Sequence, residues 1–152
     1  MLETKRLRIR LASDDEMREL IKNEPDAGLK QAYGEMLELS IKNPESRKWY
    51  AVWFIELPNG VRVGDLCFKG LLANGEVEIG YGILPEFCGR GYASEAVKAA
   101  VKWALNEPGV KCISAETDES NVASQKVLKK AGFLPTGTRG EEGPRFILNK
   151  LP

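Results

Sequence analysis

Residues 83–96 read Ile83-Leu84-Pro85-Glu86-Phe87-Cys88-Gly89-Arg90-Gly91-Tyr92-Ala93-Ser94-Glu95-Ala96. This is an extended apolar run, then a glycine turn, then the first turn of an amphipathic helix. Such a turn aims several main-chain N–H groups at one point, at the positive end of a helix. A diphosphate binds there without help from side chains. Gly89 and Gly91 matter because a Cβ would obstruct a phosphate that approaches the backbone closely. The fold must therefore contain a strand–turn–helix unit, and the question becomes which phosphate-bearing molecule it holds.

The rest of the chain supplies the frame. Leu7 to Leu11 alternates apolar and basic residues, as an opening strand does. Ser13-Asp14-Asp15-Glu16 has the pattern of a capping box, which predicts a helix to about Ile21. A second helix is predicted over 29–41, with Tyr33, Met36, Leu37 and Ile41 on one face, and Asn43-Pro44 ends it. Residues 50–56, 61–69 and 76–84 are strand-like runs separated by Pro58-Asn59-Gly60 and Asn74-Gly75, an antiparallel meander. The clearest helix is 92–106, where Ala93, Ala96, Val97, Ala100, Val101 and Ala104 recur at helical spacing. A strand over 111–117, a helix over 121–131 closed by Gly132, and a short strand at Phe146-Ile147-Leu148 complete the order. No linker, repeat or low-complexity stretch divides the 152 residues. The expectation is one mixed α/β domain over 1–152, with a βαβ unit in its second half.

Composition removes whole classes of chemistry. There is no histidine, so Ser-His-Asp and Cys-His nucleophiles and His-ligated zinc are excluded. Acid–base work must fall to carboxylates, Tyr, Cys, Lys, Ser or water. Lys+Arg and Asp+Glu balance at 22 each, so the basic excess of a nucleic-acid binder is missing. Cys67, Cys88 and Cys112 are odd in number and widely spaced, which argues against a disulfide framework or a Cys-x-x-Cys metal site. They read as reduced thiols of a cytoplasmic protein. No apolar stretch approaches the roughly 20 residues of a membrane span, and the first residues lack a signal peptide's apolar run.

Gly89 to Ser94 matches the dinucleotide fingerprint G-x-G-x-x-G only in part. In that motif the first glycine follows its strand at once, whereas here 84–88 intervene, and the turn comes late in the chain. A Walker A loop is absent. A third pattern fits better. Gly80-Tyr81-Gly82-Ile83-Leu84-Pro85-Glu86-Phe87-Cys88-Gly89-Arg90-Gly91-Tyr92-Ala93 resembles the signature of the GNAT superfamily of acyl-CoA-dependent N-acetyltransferases, Gln/Arg-x-x-Gly-x-Gly/Ala. Cys88 departs from it at the first position. Glu116 to Phe133 resembles the family's strand–Asn–helix–Gly-Phe segment. Leu2 to Arg10 resembles the N-terminal strand of the RimJ/RimL-like branch, which resembles the ribosomal-protein N-terminal acetyltransferases. The likeness spans nearly the whole chain.

That resemblance implies a central, mostly antiparallel twisted sheet flanked by helices, splayed at the acyl-CoA site. Backbone groups of Tyr81, Gly82 and Ile83 would hold the pantetheine arm. Gly80 and Gly82 leave one strand face without bulk, for a ligand or for a close-packed helix. The loop Gly89, Arg90, Gly91, Tyr92, Ala93 and Ser94 would cradle the diphosphate, and Asn121 would contact the cofactor while also capping its helix. Many family members carry a tyrosine acid on the last helix; here Leu128 stands at that position. The RimJ/RimL-like branch has Asn-x-x-Ser instead, which makes Ser124 the candidate general acid, with a water relay as the alternative. Glu78 is the candidate base, acting through water, and Glu116 is its reserve. The implied reaction is direct acetyl transfer from acetyl-CoA, with no metal, to a primary amine: a protein N-terminus or a small molecule. No nucleic acid or membrane takes part, and pairing of sheet edges makes a homodimer plausible. Two rivals stand beside this reading: a non-catalytic acyl-CoA-binding module on the same fold, and a nicotinamide or flavin nucleotide binder.

Overall fold

A computed structural model describes residues 1–151. The chain opens with two short antiparallel strands, β1 (Leu2–Glu3) and β2 (Arg8–Leu11), followed by helices α1 (Asp14–Asn23) and α2 (Ala27–Lys42). The capping box forms as the sequence predicts. The Ser13 hydroxyl accepts the Glu16 N–H at 3.1 Å, and the Glu16 carboxylate accepts the Ser13 N–H at 3.0 Å.

Glu16 also accepts both terminal nitrogens of Arg10, at 2.8 and 2.7 Å, which fastens α1 to β2. The Arg10 hydrogen bonds hold the Glu16 carboxyl down at about 2, against an ordinary 4.5. The folded value lies below the unfolded one, so this stabilisation is complete above pH 4.5 and is lost as pH falls toward 2. Both side chains are about a third exposed, so solvent screening limits the contribution to about 1 kcal/mol. Glu16→Gln is expected to flatten the acid limb of a stability profile from urea melts by about that amount. Profiles that stay parallel would place the acid sensitivity elsewhere.

The meander follows as β3 (Val52–Glu56), β4 (Arg62–Leu71) and β5 (Glu76–Ile83). Then come α3 (Tyr92–Leu105), β6 (Cys112–Glu116), α4 (Val122–Lys130), β7 (Leu134–Arg139) and β8 (Pro144–Asn149). The eight strands form one sheet in the order β1-β2-β3-β4-β5-β6-β8-β7. Only β5 and β6 run parallel, which is what the α3 crossover requires; every other pair is antiparallel.

The two parallel strands hold together only over Glu76–Glu78 against Cys112–Ser114. Beyond that point β6 stays with β8, while Ile79–Ile83 of β5 pair with β4 alone. The centre of the sheet therefore opens like a V, with one side of β5 carrying unpaired main-chain groups.

Directly opposed residues of an antiparallel pair share a face. Leu66 opposite Tyr81, and Phe68 opposite Ile79, look toward α3 and α4. That larger core is built from Ile55, Val63, Leu66, Phe68, Val77 and Ile79 against the small stripe Ala96, Val97, Ala100 and Ala104 of α3. Small residues let the helix lie close to the sheet, and the glycine turn that precedes it is thereby set at the mouth of the V. Trp49, Trp53 and Trp103 join Phe68 in one aromatic cluster, with Trp53 and Trp103 centroids 5.0 Å apart. On the opposite face Met17 and Tyr33 pack against Val52 and Phe54.

The N-terminal strand expected over Leu2 to Arg10 is split into β1 and β2, and β7 was not foreseen from the sequence. β1 has two residues, and β7 has all six exposed, so neither carries an apolar alternation. They form the two outer edges of the sheet, where the expectation of pairing between copies would have to be met. No helix among the described residues is long and apolar enough to cross a membrane.

Candidate active site

The loop after β5 makes a single 3-10 turn, Pro85–Phe87, before it reaches the glycines. Gly89 and Gly91 both adopt positive φ, 80° and 82°, and Gly91 is the N-cap of α3. The caps of α1, α2 and α4 are Ser13, Asp26 and Asn121, and each accepts a first-turn N–H. Gly91 has no side chain to do so, and the first-turn amides of α3 are left for an external acceptor.

Arg6 keeps this loop in place. Its Nη1 donates to the Arg90 carbonyl at 2.9 Å, and its guanidinium lies 4.7 Å above the centre of the Tyr92 ring. Its Nε donates to Glu95 at 2.7 Å. Glu95 accepts the Arg6 N–H and the Thr4 hydroxyl as well. An unpaired carboxylate in the first turn of α3 would repel a diphosphate; Arg6 neutralises it. Arg90 is exposed and donates only to the Glu86 carbonyl at 3.4 Å, so its guanidinium is free to turn toward an anion.

Across the V, Asn121 accepts the Ser124 N–H at 3.0 Å, which is the helix cap expected of it. Ser124 is then placed with its Oγ 2.7 Å from the Tyr81 hydroxyl, which also donates to the Ser124 carbonyl at 3.2 Å. This pair bridges β5 and α4 on the α3 side of the sheet. Burial raises the Tyr81 phenol above its ordinary range, and the Ser124 hydrogen bond offsets part of that. Tyr81 is therefore a protonated donor at neutral pH. The sequence pointed to Tyr81 for its backbone; its hydroxyl was missed.

On the other face of β5 is a cavity of about 690 Å³. Gly80 and Gly82 form part of its floor, and α2 its roof, through Leu29, Met36 and Leu39. A Cβ placed on Gly82 meets nothing within 4 Å, so open space and not a closely packed helix lies over that residue, whereas a Cβ on Gly80 would touch Cys67 and Lys69 at 3.5 and 3.7 Å. Gly64 on β4 has the opposite reason for being glycine. A Cβ there would fall 2.2 Å from the Gly82 carbonyl oxygen, so β4 lies close beneath the same segment.

Cys67 also lines the cavity, and burial pushes its thiol up to about 11, so it remains an unreactive thiol. Asp65, opposite Gly82, accepts the Tyr33 hydroxyl at 2.9 Å. Glu78 sits just outside the lining, where Lys69 Nζ donates to it at 2.5 Å. Burial alone would push the Lys69 ammonium down, but Glu78 and Glu142 hold it up. Glu116 turns toward Arg145 and the loop before β8, accepting the Glu142 N–H at 3.4 Å, and does not reach the cavity. No cluster of metal-ligating side chains exists among the described residues.

The profile of the acetyltransferase (GNAT) domain family matches residues 3–134. The chain belongs to the GNAT acetyltransferase family. Among relatives, this GNAT chain is 30% identical over 111 residues to the uncharacterized N-acetyltransferase YjdG of Bacillus subtilis. The match covers 72% of the chain and 66% of YjdG, so the chain spans just under two thirds of that relative's length.

A spermidine N-acetyltransferase from Vibrio cholerae, solved with CoA and spermine, shares the fold at a TM-score of 0.76 and 16% identity, covering 97% of both chains. A putative ribosomal-protein-serine acetyltransferase from the same organism does so at 0.72 and 19%, covering 97% and 96%. The GNAT sheet, open at its centre, agrees with the architecture the motifs implied, and the doubly wound dinucleotide fold is set aside.

Proposed function

We propose that this GNAT chain is an acetyl-CoA-dependent N-acetyltransferase that acts on a primary amine in a ternary complex. The observation that carries this reading is the opened sheet beside a helix whose first amides are uncapped. Ile79–Ile83 have one unpaired side, the chain then turns through Pro85–Phe87 to the uncapped amides of α3, the Tyr81–Ser124 hydroxyl pair lies on one face of β5 and an open cavity on the other. Acetyl-CoA supplies an activated thioester carbonyl.

In this reading the amides of Gly89 to Ser94 hold the diphosphate, with Arg90 beside it, and Asn121 borders the site from α4. Backbone groups of Tyr81, Gly82 and Ile83 align the pantetheine arm, and an N–H near Ile83 takes up negative charge as the amine nitrogen bonds to the carbonyl carbon. The Tyr81–Ser124 pair gives a proton to the departing sulfur as the carbon–sulfur bond breaks. Glu78 takes the proton lost by the amine, through water. The cysteines are unpaired and Cys67 is held as a thiol, which favours direct transfer over an acyl-enzyme. Free thiols also fit a cytoplasmic setting.

The acceptor is a small amine or a protein N-terminus. The test is thioester consumption by the purified chain against pooled amines and N-terminal peptides, beside a thermal shift with coenzyme A. Turnover with any amine supports the reading. A coenzyme A shift without turnover of any amine would replace it with a non-catalytic binding module.

A further inference from the structure

The cavity over Gly80 and Gly82 contains a charged group to which the transfer reaction assigns no task. Asp65 lies on β4 directly opposite Gly82, with its side chain only 22% exposed. Tyr33 of α2 donates its hydroxyl to Oδ2 at 2.9 Å, and Arg62 approaches the same oxygen at 3.5 Å. Oδ1 accepts no hydrogen bond from any described residue. Carboxylates in such places are normally fully engaged, because removing them from water is costly without partners.

The surroundings sharpen the imbalance. Acids on the cavity wall are Glu24, Glu35, Asp65 and Glu142; bases are Arg62 and Lys69. Lys69 is already taken by Glu78 at 2.5 Å, and Arg62 is the distant partner of Asp65 itself. Between these acids the wall is apolar: Leu29, Met36 and Leu39 of α2. A half-buried carboxylate with an open oxygen, at the floor of an apolar and net acidic chamber, has the chemistry of an ammonium receptor.

We propose that Asp65, oriented by Tyr33, binds a second, non-reacting ammonium of the acceptor, so that this chain selects alkyl diamines over monoamines and neutral or acidic N-terminal peptides. The inference rests on the acetyl-transfer reading and adds the acceptor class to it. Geometry sets the spacing. Neighbouring strands lie about 4.8 Å apart. Asp65 is thus about one strand width from Gly82 and about two from the open side of β5, where the attacking nitrogen must stand. Two nitrogens about 5–10 Å apart meet both positions, a separation that a short chain of methylenes supplies. Burial is the main reason the Asp65 carboxyl is raised above its ordinary range, with the Tyr33 and Arg62 contacts pulling the other way. A docked ammonium would favour the carboxylate and relieve that burden.

The experiment compares 1,4-diaminobutane with 1-aminobutane, and an acidic N-terminal peptide, in wild type, Asp65→Asn and Tyr33→Phe. Wild type is expected to prefer the diamine over the monoamine in kcat/KM by at least about tenfold, one well-formed ion pair's worth. Asp65→Asn keeps the shape and the oxygen that Tyr33 addresses. It is expected to raise KM for the diamine until the preference vanishes, with KM for acetyl-CoA and the coenzyme A thermal shift unchanged. Tyr33→Phe should erode the preference only partly.

A wild type that acetylates amines without preferring the diamine would overturn this inference and leave the acetyl-transfer reading standing. So would an Asp65→Asn enzyme that loses kcat equally for both amines. If wild type acetylates no amine, the acetyl-transfer reading fails and this inference with it.

Discussion

Gly91→Val is expected to weaken coenzyme A binding by at least about a hundredfold, equivalent to about 2.7 kcal/mol. Two effects combine. Gly91 has φ of 82°, a region in which a β-branched residue stores about 1–3 kcal/mol of strain. Relief of that strain would rotate the first-turn amides of α3 away from their common point. The new side chain also crowds Arg6: a Cβ would lie 3.3 Å from its Nη2, on the guanidinium whose Nη1 ties the loop to the N-terminal segment.

Gly60→Val is the control. Gly60 has φ of 88° in the turn between β3 and β4, with nothing within 4 Å of a Cβ. Both variants should lower the melting temperature by a similar few degrees. Only Gly91→Val should lose the thermal shift with coenzyme A and the heat of binding in calorimetry. Equal affinity in the two variants would mean that the diphosphate does not bind at α3.

The second large effect concerns the hydroxyl pair. Ser124→Ala and Tyr81→Phe are each expected to lower kcat by about a hundredfold, at the lower end of what general acids contribute. KM for acetyl-CoA should hardly change, because neither hydroxyl is asked to hold the donor in the ground state. The double variant should be scarcely slower than either single one. Two hydroxyls 2.7 Å apart deliver one proton, and losing either breaks the relay. Tyr81→Phe also removes the hydrogen bonds between β5 and α4 and should cost about 1 kcal/mol of stability. A kcat within twofold of wild type in both single variants would assign the proton to water. Multiplying losses in the double variant would give the two hydroxyls separate tasks.

What could be read in advance was local. The Ser13–Glu16 box, the Asn121–Ser124 cap, the glycine turn before α3 and the small-residue stripe of α3 each depend on neighbours within a few positions, and each stands where the sequence put it. Contacts between distant segments could not be read this way. Tyr81 and Ser124 are 43 positions apart, and Tyr33 and Asp65 are 32 apart. Their meeting depends on how far β5 outruns β6 and on how α2 crosses the sheet.

Glu78 shows the same limit. Its alternation with the buried Val77 and Ile79 is local, but its partner Lys69 depends on the β4–β5 register next to a bulge. Gly80 and Gly82 suggested either an open face or a packed helix, and only the empty space above Gly82 decides. Asp65 does leave a local signal: it is the lone acid in the run Val63-Gly64-Asp65-Leu66-Cys67-Phe68, a charge that a buried strand tolerates only with a partner. The β7 edge left no clue, since burial writes the alternation and all six of its residues face solvent.

The whole account turns on the gap in mid-sheet, and a crystal structure of the chain with coenzyme A examines it most directly. The expected result is the diphosphate on the amides of Gly89 to Ser94 and the pantetheine chain running beside Ile79–Ile83 as an added strand, its sulfur near Tyr81 and Ser124. A bound coenzyme A whose diphosphate lies away from α3, or a β5 that has closed onto β6 past Glu78, would contradict it.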